Sequence, residues 1–173
     1  MAKVSFTKFG LKENKEIKTI KFNEIEIEVK QYLPTSEKLT LISNVINCSH
    51  NTNFANPVLI EVYGTLEIIY AYTNINFTDK QKEDSLKLYD MLNSSGLADA
   101  IVSAIPQIEY ETVIDGINDS VEAVYAYENS VMGILDTVKQ DYSSLKLDTD
   151  EITEKLSNEE NLTLVKNIVT KLG

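Results

Sequence analysis

Between residues 114 and 145, apolar side chains recur at alternating spacings of three and four: Ile114, Ile117, Val121, Val124, Val131, Leu135, Val138, Tyr142 and Leu145. Only Glu128 interrupts them. A repeat of this kind marks a helix packed lengthwise on other helices, so the pattern predicts one long helix, beginning as early as Ile108. Glu128 is then either polar punctuation that sets the register or the place where the helix bends.

With Ile114 at heptad position a, two further faces of this helix emerge. Asp115, Glu122, Asn129 and Asp136 fall at b, an acidic flank beside the seam. The opposite side is lined by small residues, Gly116, Ala123, Ser130, Thr137 and Ser144 at c with Ala126 and Gly133 at f. A glycine inside a helix costs about 1 kcal/mol relative to alanine. Gly116 and Gly133 therefore need a reason: close approach of a partner helix, close approach of one of the chain's own helices, or a break. The candidate partner-binding set is Asp115, Asp119, Glu122, Ala123, Ala126, Ser130, Gly133 and Asp136.

The chain begins differently. Ile25, Ile27 and Val29 alternate with Glu24, Glu26 and Glu28, the period of a strand with one buried face. Together with the Ile- and Thr-rich run before Asn23, this predicts a hairpin of residues 16–22 and 24–31, joined by an earlier strand near Val4 to Phe6. Pro34 closes that region. Thr35 or Ser36 then caps a helix whose apolar set is Leu39, Ile42, Val45 and Ile46. CSHNTNFANP reads as a polar connection, and Pro57 opens a buried helix over Val58 to Tyr72. Thr78 or Asp79 caps the next helix, with Leu86, Leu88, Tyr89, Met91 and Leu92 on its apolar side and Gly96 at its end. Leu97 to Ile105 forms a short helix stopped by Pro106. Two last helices are expected at 149–156 and 159–171, the second capped by Asn158. The expected fold is mainly α (α+β): a helical bundle with a long central helix and an N-terminal β-hairpin. One domain covers 1–173, with a hairpin region at 1–33 packed on a helical region at 34–173.

Composition narrows the function classes. The 43% hydrophobic and 25% charged residues are ordinary globular proportions, which excludes wholesale disorder. No apolar stretch reaches the roughly 20 residues of a membrane span. MAKVSFTKFGLKENKE lacks the apolar centre of a secretion signal. Cys48 stands alone, which excludes an internal disulfide and fits a reducing cytoplasm. All 16 basic residues are lysine. Without arginine, the usual bidentate grip on phosphate, the chain is a poor nucleotide enzyme or nucleic-acid reader. The net charge of −11 lies wholly in the second half: nine acids and no basic residue occur between Lys87 and Lys139. That field repels nucleic acid and attracts basic surfaces.

Catalytic and cofactor motifs do not emerge. Cys48 and His50 are two residues apart in a polar stretch, a spacing that does not suit a nucleophile and its base. A zinc site would need more Cys or His ligands than the chain holds. The acids from Asp148 to Glu159 resemble a calcium loop poorly, because Thr153 stands where the tight turn needs glycine. No catalytic residue, metal or cofactor is therefore expected. Tyr70, Tyr72, Tyr125 and Tyr127 supply amphipathic area of the sort found at interfaces, although core tyrosines with satisfied hydroxyls account for most such residues.

The segments IKTIKFNEIEIEVKQYLPTSEKLTLISNVIN, YTNINFTDKQKEDSLKLYDML and NLTLVKNIVTKLG resemble small bacteriophage morphogenesis proteins of low-GC Gram-positive hosts, in the style of phage tail assembly chaperones. The resemblance covers most of the chain but rests on overall texture, with no residue-level motif. It implies a non-enzymatic helper, in the host cytoplasm or the virion, that binds a tape measure protein or a tail subunit. The residues leave a second function open, an acidic inhibitor of a basic host protein that handles nucleic acid or defence. Neither function involves nucleic acid or membrane as a partner, and both are compatible with a homo-oligomer.

Overall fold

A computed structural model describes residues 3–51 and 54–144. The chain divides into two compact units, Met1–Ala126 and Tyr127–Gly173. The fold is mainly α, with seven α-helices and an N-terminal antiparallel hairpin among the described residues.

In the first unit, β1 (Ile17–Phe22) and β2 (Ile25–Lys30) pair from Ile17↔Lys30 to Phe22↔Ile25. Alternation places Ile27 and Val29 in the core while the glutamates face outward. The turn residues Asn23 and Glu24 both have positive φ, 47° and 64°. This two-residue geometry matches the right-handed strand twist, and glycine normally favours its second position. The outer edge of β2 is closed by a bridge from Val29 to Thr73, and Asn74 donates its amide to the Glu28 carbonyl at 3.3 Å. The strand expected near Val4 to Phe6 is not formed. Phe6–Phe9 instead make a 3₁₀ turn ended by Gly10 at φ 60°, with local hydrogen bonds in place of a ladder.

Helix α1 (Thr35–Ser49) is capped by Pro34 rather than by Thr35 or Ser36: the Pro34 carbonyl accepts the Glu37 and Lys38 amides at 2.9 and 3.0 Å. Its buried stripe is Leu41, Val45 and Ser49, with Ile42 beside it, and Leu39 is exposed. The expected stripe was thus turned partly outward. The connection contains a minimal hairpin, β3 (His50–Asn51) with β4 (Phe54–Ala55).

Helix α2 (Pro57–Tyr72) starts at its proline, and the Asn56 side chain caps it by accepting the Val58 amide at 3.0 Å. It is buried on two faces, which explains its apolar composition without clean periodicity. Ile68 and Tyr72 pack against β2, α1 and α6, whereas Val62, Leu66 and Ile69 meet Leu88, Leu92 and Ile101. Thr78 forms the expected cap, reciprocated by Gln81. The single helix expected beyond it is two, α3 (Asp79–Glu83) and α4 (Ser85–Ser94), divided where Asp84 leaves helical geometry at φ −97°, ψ 61°. Leu88 and Leu92 are buried and Leu86 and Met91 exposed, so the second helix presents a narrower face than expected. Gly96, at φ 75°, ends α4, and α5 (Leu97–Val102) follows. Helix α6 (Gln107–Glu128), the longest described, turns Glu109, Val113 and Ile117 inward.

Around the second unit the seam departs from expectation. As far as Tyr142 the heptad pattern is divided between α6 and α7 (Val131–Ser144), with a break at Asn129 and Ser130, and Leu145 lies outside the described residues. Ser130 is the cap of α7: its Oγ accepts the Gly133 amide at 3.1 Å and its carbonyl accepts the Ile134 amide at 3.0 Å. Serine and asparagine favour such caps over helix interiors because their side chains compete for backbone amides. The helices expected at 149–156 and 159–171, the Asn158 cap and the acids from Asp148 to Glu159 lie outside the described residues.

Candidate functional site

The most concentrated polar chemistry in the first unit surrounds Glu109, one turn before Val113 on the inward stripe of α6. Glu109 is 8% exposed and uses both oxygens. Oε1 accepts the Leu33 amide and the Tyr72 hydroxyl, each at 2.8 Å, while Oε2 meets the Lys38 ammonium at 2.8 Å. Four elements converge there: the β2–α1 connection, α1, α2 and α6. The same ammonium lies over the Tyr32 ring, 4.7 Å from its centroid.

Burial pushes the Glu109 carboxyl pKa up. The hydrogen bonds from Lys38, Leu33 and Tyr72, with the charge of Lys38, outweigh that and hold it below its ordinary value. Burial and the hydrogen bond to Glu109 push the Tyr72 hydroxyl far above its own. Such a carboxylate is committed: ionised, fully partnered and poorly suited to exchange protons with a ligand.

An apolar groove lies between α2 and α6. Ile60, Gly64 and Ile68 line it from α2, and Tyr110, Ile114 and Ile117 from α6, around a volume of about 240 Å³. That is small for an organic cofactor and suits one or two large apolar side chains. Glu61 and Asn118 stand among its lining residues, which include no basic side chain. Asn118 shares a helical stripe with Glu111, Asp115 and Glu122, spaced by four, three and four residues. On α6 the carboxylates of that stripe lie beside the Tyr110, Ile114 and Ile117 positions that line the groove.

The residues singled out from sequence fall into two groups. Asp115, Asp119, Glu122, Ala123 and Ala126 are exposed on α6, the first three following one acidic side of the helix. Ser130, Gly133 and Asp136 belong to the junction and to α7, so the eight do not share the back of one continuous helix. Ser130 is the cap, and Asp136 accepts the Tyr127 hydroxyl. The two glycines each have a reason. A Cβ on Gly116 would lie 2.7 Å from Ile42 Cδ1, so α1 approaches α6 there. A Cβ on Gly133 would collide with the Tyr127 carbonyl oxygen, so the Tyr127–Glu128 backbone lies against the start of α7.

The tyrosines divide similarly. Tyr72 is buried on Glu109, and Tyr70 makes an edge contact with Phe77 at 5.1 Å. Tyr127 is exposed, and Tyr125 is half-buried. Cys48 is exposed, its thiol pKa pushed up by partial burial and by the Glu67 carboxylate, which disfavours the nucleophilic thiolate. Among the described residues no three His, Cys, Asp or Glu side chains are placed to hold a metal ion. No helix among them is long and apolar enough to cross a membrane.

Sequence reasoning overlooked Glu109. Its signal was its position, four residues before Val113 and eight before Ile117, a carboxylate on an otherwise apolar stripe. The α2 wall was also overlooked, although Ile60, Gly64 and Ile68 recur every four residues. No family model, curated protein or solved structure matches the chain.

Proposed function

We propose that this protein is a non-enzymatic phage assembly factor, a tail assembly chaperone or minor virion component that binds helical structural proteins. The observation that carries this reading is the open α2–α6 groove, apolar at its centre and lined by Glu61, with Glu111, Asp115 and Glu122 on the α6 stripe shared by its lining residue Asn118. A helix with an apolar stripe and flanking lysines would bury its apolar residues between Ile60 and Ile114 and set its charges against those carboxylates. Commitment of the Glu109 cluster to its own chain supports a binding role over a catalytic one.

Co-expression with the structural proteins of the same phage, followed by affinity purification and mass measurement of the assembly, tests the reading. A defined complex with a tape measure protein or tail subunit, weakened by Ile114→Asp, is the expected result. Failure to bind any phage structural protein refutes it.

The acidic side of α6 favours one alternative, an inhibitor of a basic host protein. Under that reading, joint neutralisation of Asp115, Asp119, Glu122 and Asp136 abolishes a salt-sensitive interaction. Affinity that persists in high salt after neutralisation excludes it.

A further inference from the structure

The first unit carries both halves of a complementary contact, and within one chain they remain apart. Every residue from 3 to 13, ahead of the hairpin and of the Gln31 amide bonded to the Glu16 carbonyl, is exposed. This arm contains Val4, Phe6, Phe9 and Leu11, exposed at 65%, 73%, 62% and 70%. Four large apolar side chains so close together and so open mark a contact surface rather than ordinary surface scatter. The 3₁₀ turn places Phe6 and Phe9 three residues apart on one side, with ring centroids 6.5 Å apart, so the rings form a single wedge. Lys3, Lys8 and Lys12 accompany them, and the first acid of the chain is Glu13. The arm is therefore a basic, aromatic segment on a strongly acidic protein.

The α2–α6 groove has the opposite character. It is apolar inside, sized for one or two large side chains, lined by Glu61 and by no lysine, and flanked along α6 by the helical stripe of Glu111, Asp115 and Glu122. We infer that the N-terminal arm of one copy docks in the α2–α6 groove of a second copy, with the Phe6–Phe9 wedge among Ile60, Ile114 and Tyr110 and the arm lysines against Glu61, Glu111 and Asp115. Both arguments for a second copy lie within the chain: complementary charge, and an arm that stands clear of its own body while its apolar side chains are exposed. Arm and groove are different surfaces, so a pair joined by one such contact keeps one free arm and one free groove between them, and either closes by exchanging the second arm or continues into a ring or an open filament. It deepens the reading of that groove as a protein-binding site: the arm of a second copy and a client helix compete for it, and self-association of the chain alone tests the first without the second.

Sedimentation of the full chain over a wide concentration range provides the test. The expected result is mass that grows with concentration, and a Phe6→Ser/Phe9→Ser variant that associates at least about a hundredfold more weakly, from the lost burial of two aromatic side chains. Both residues are exposed in the single chain, so the variant leaves the fold intact, which circular dichroism checks. A charge exchange isolates the pairing. Lys3→Glu/Lys8→Glu/Lys12→Glu and Glu111→Lys/Asp115→Lys/Glu122→Lys each remain monomeric alone and associate when mixed. A wild-type chain that stays monomeric overturns the inference. So does association that is indifferent to the Phe variant, or a failure of the mixed charge variants to combine.

Discussion

Replacement of Glu109 by alanine tests whether the buried cluster holds the helices of the first unit together. The change leaves three groups without their partner: the Lys38 ammonium, whose side chain is 14% exposed, the amide of fully buried Leu33, and the Tyr72 hydroxyl. An abandoned neutral donor costs about 1–3 kcal/mol, and breaking a buried ion pair costs about 3–5 kcal/mol in total. These overlap, because water and rotation of Lys38 toward solvent recover part of the loss. The expected destabilisation is thus about 3–5 kcal/mol, a large part of the ~5–15 kcal/mol typical of a whole domain. Glu109→Gln keeps an oxygen for Leu33 and Tyr72 but turns an amide donor toward Lys38, losing that hydrogen bond with the charge, so it should cost less than the alanine change, about 1–3 kcal/mol.

The pH dependence follows from the lowered pKa of Glu109. The unfolded chain binds the proton more readily than the folded one. The contribution of the carboxylate is therefore fully present above the ordinary glutamate value and is lost as pH falls through the depressed folded value. Urea unfolding followed by circular dichroism, at neutral pH and at pH values below the ordinary glutamate value, measures both effects. The wild type should lose stability in acid more steeply than Glu109→Gln. A loss below about 1 kcal/mol for Glu109→Ala, or equal acid sensitivity of wild type and Glu109→Gln, would refute the argument.

Three further outcomes follow from local geometry. Glu24→Gly should raise stability by about 1 kcal/mol in thermal or urea unfolding, because Glu24 holds φ 64° in a turn position that suits glycine. Gly116→Val should cost about 1–3 kcal/mol by pushing into Ile42, and Ile42→Ala in the same chain should recover part of that loss in unfolding measurements. Ser130→Ala should remove the α7 cap, costing that helix about 1 kcal/mol, seen as faster amide hydrogen exchange at Gly133 and Ile134 with little change at Val113.

Where one residue type has one local use, the sequence alone was sufficient. The Ile25–Val29 alternation, the turn at Asn23, the Pro57 start of α2, the Thr78 cap and the Gly96 stop each depend on a few adjacent residues, and each stands where its chemistry placed it. Heptad spacing identified Ile114 and Ile117 as inward or nearly so, but it could not reveal that the rod is cut at Ser130. Spacing records which residues share a face. Whether a helix continues depends on competition between the Ser130 hydroxyl and the backbone for the same amides, and on the room Gly133 gives the Tyr127 carbonyl. The stripe on α1 shifted from Leu39 to Leu41 for a related reason: several apolar stripes were available, and contact with α2 selected one.

The site itself was decided by tertiary structure. Glu109, Lys38, Tyr72 and the Leu33 amide are spread over three helices and a connection, and each alone is an unremarked residue. Only folding brings them within hydrogen-bond distance, and only burial makes their pairing costly to break, because the low dielectric that strengthens the contact also penalises any member left alone. The α2–α6 groove is likewise a property of two helices at one separation, something no run along a single segment can express.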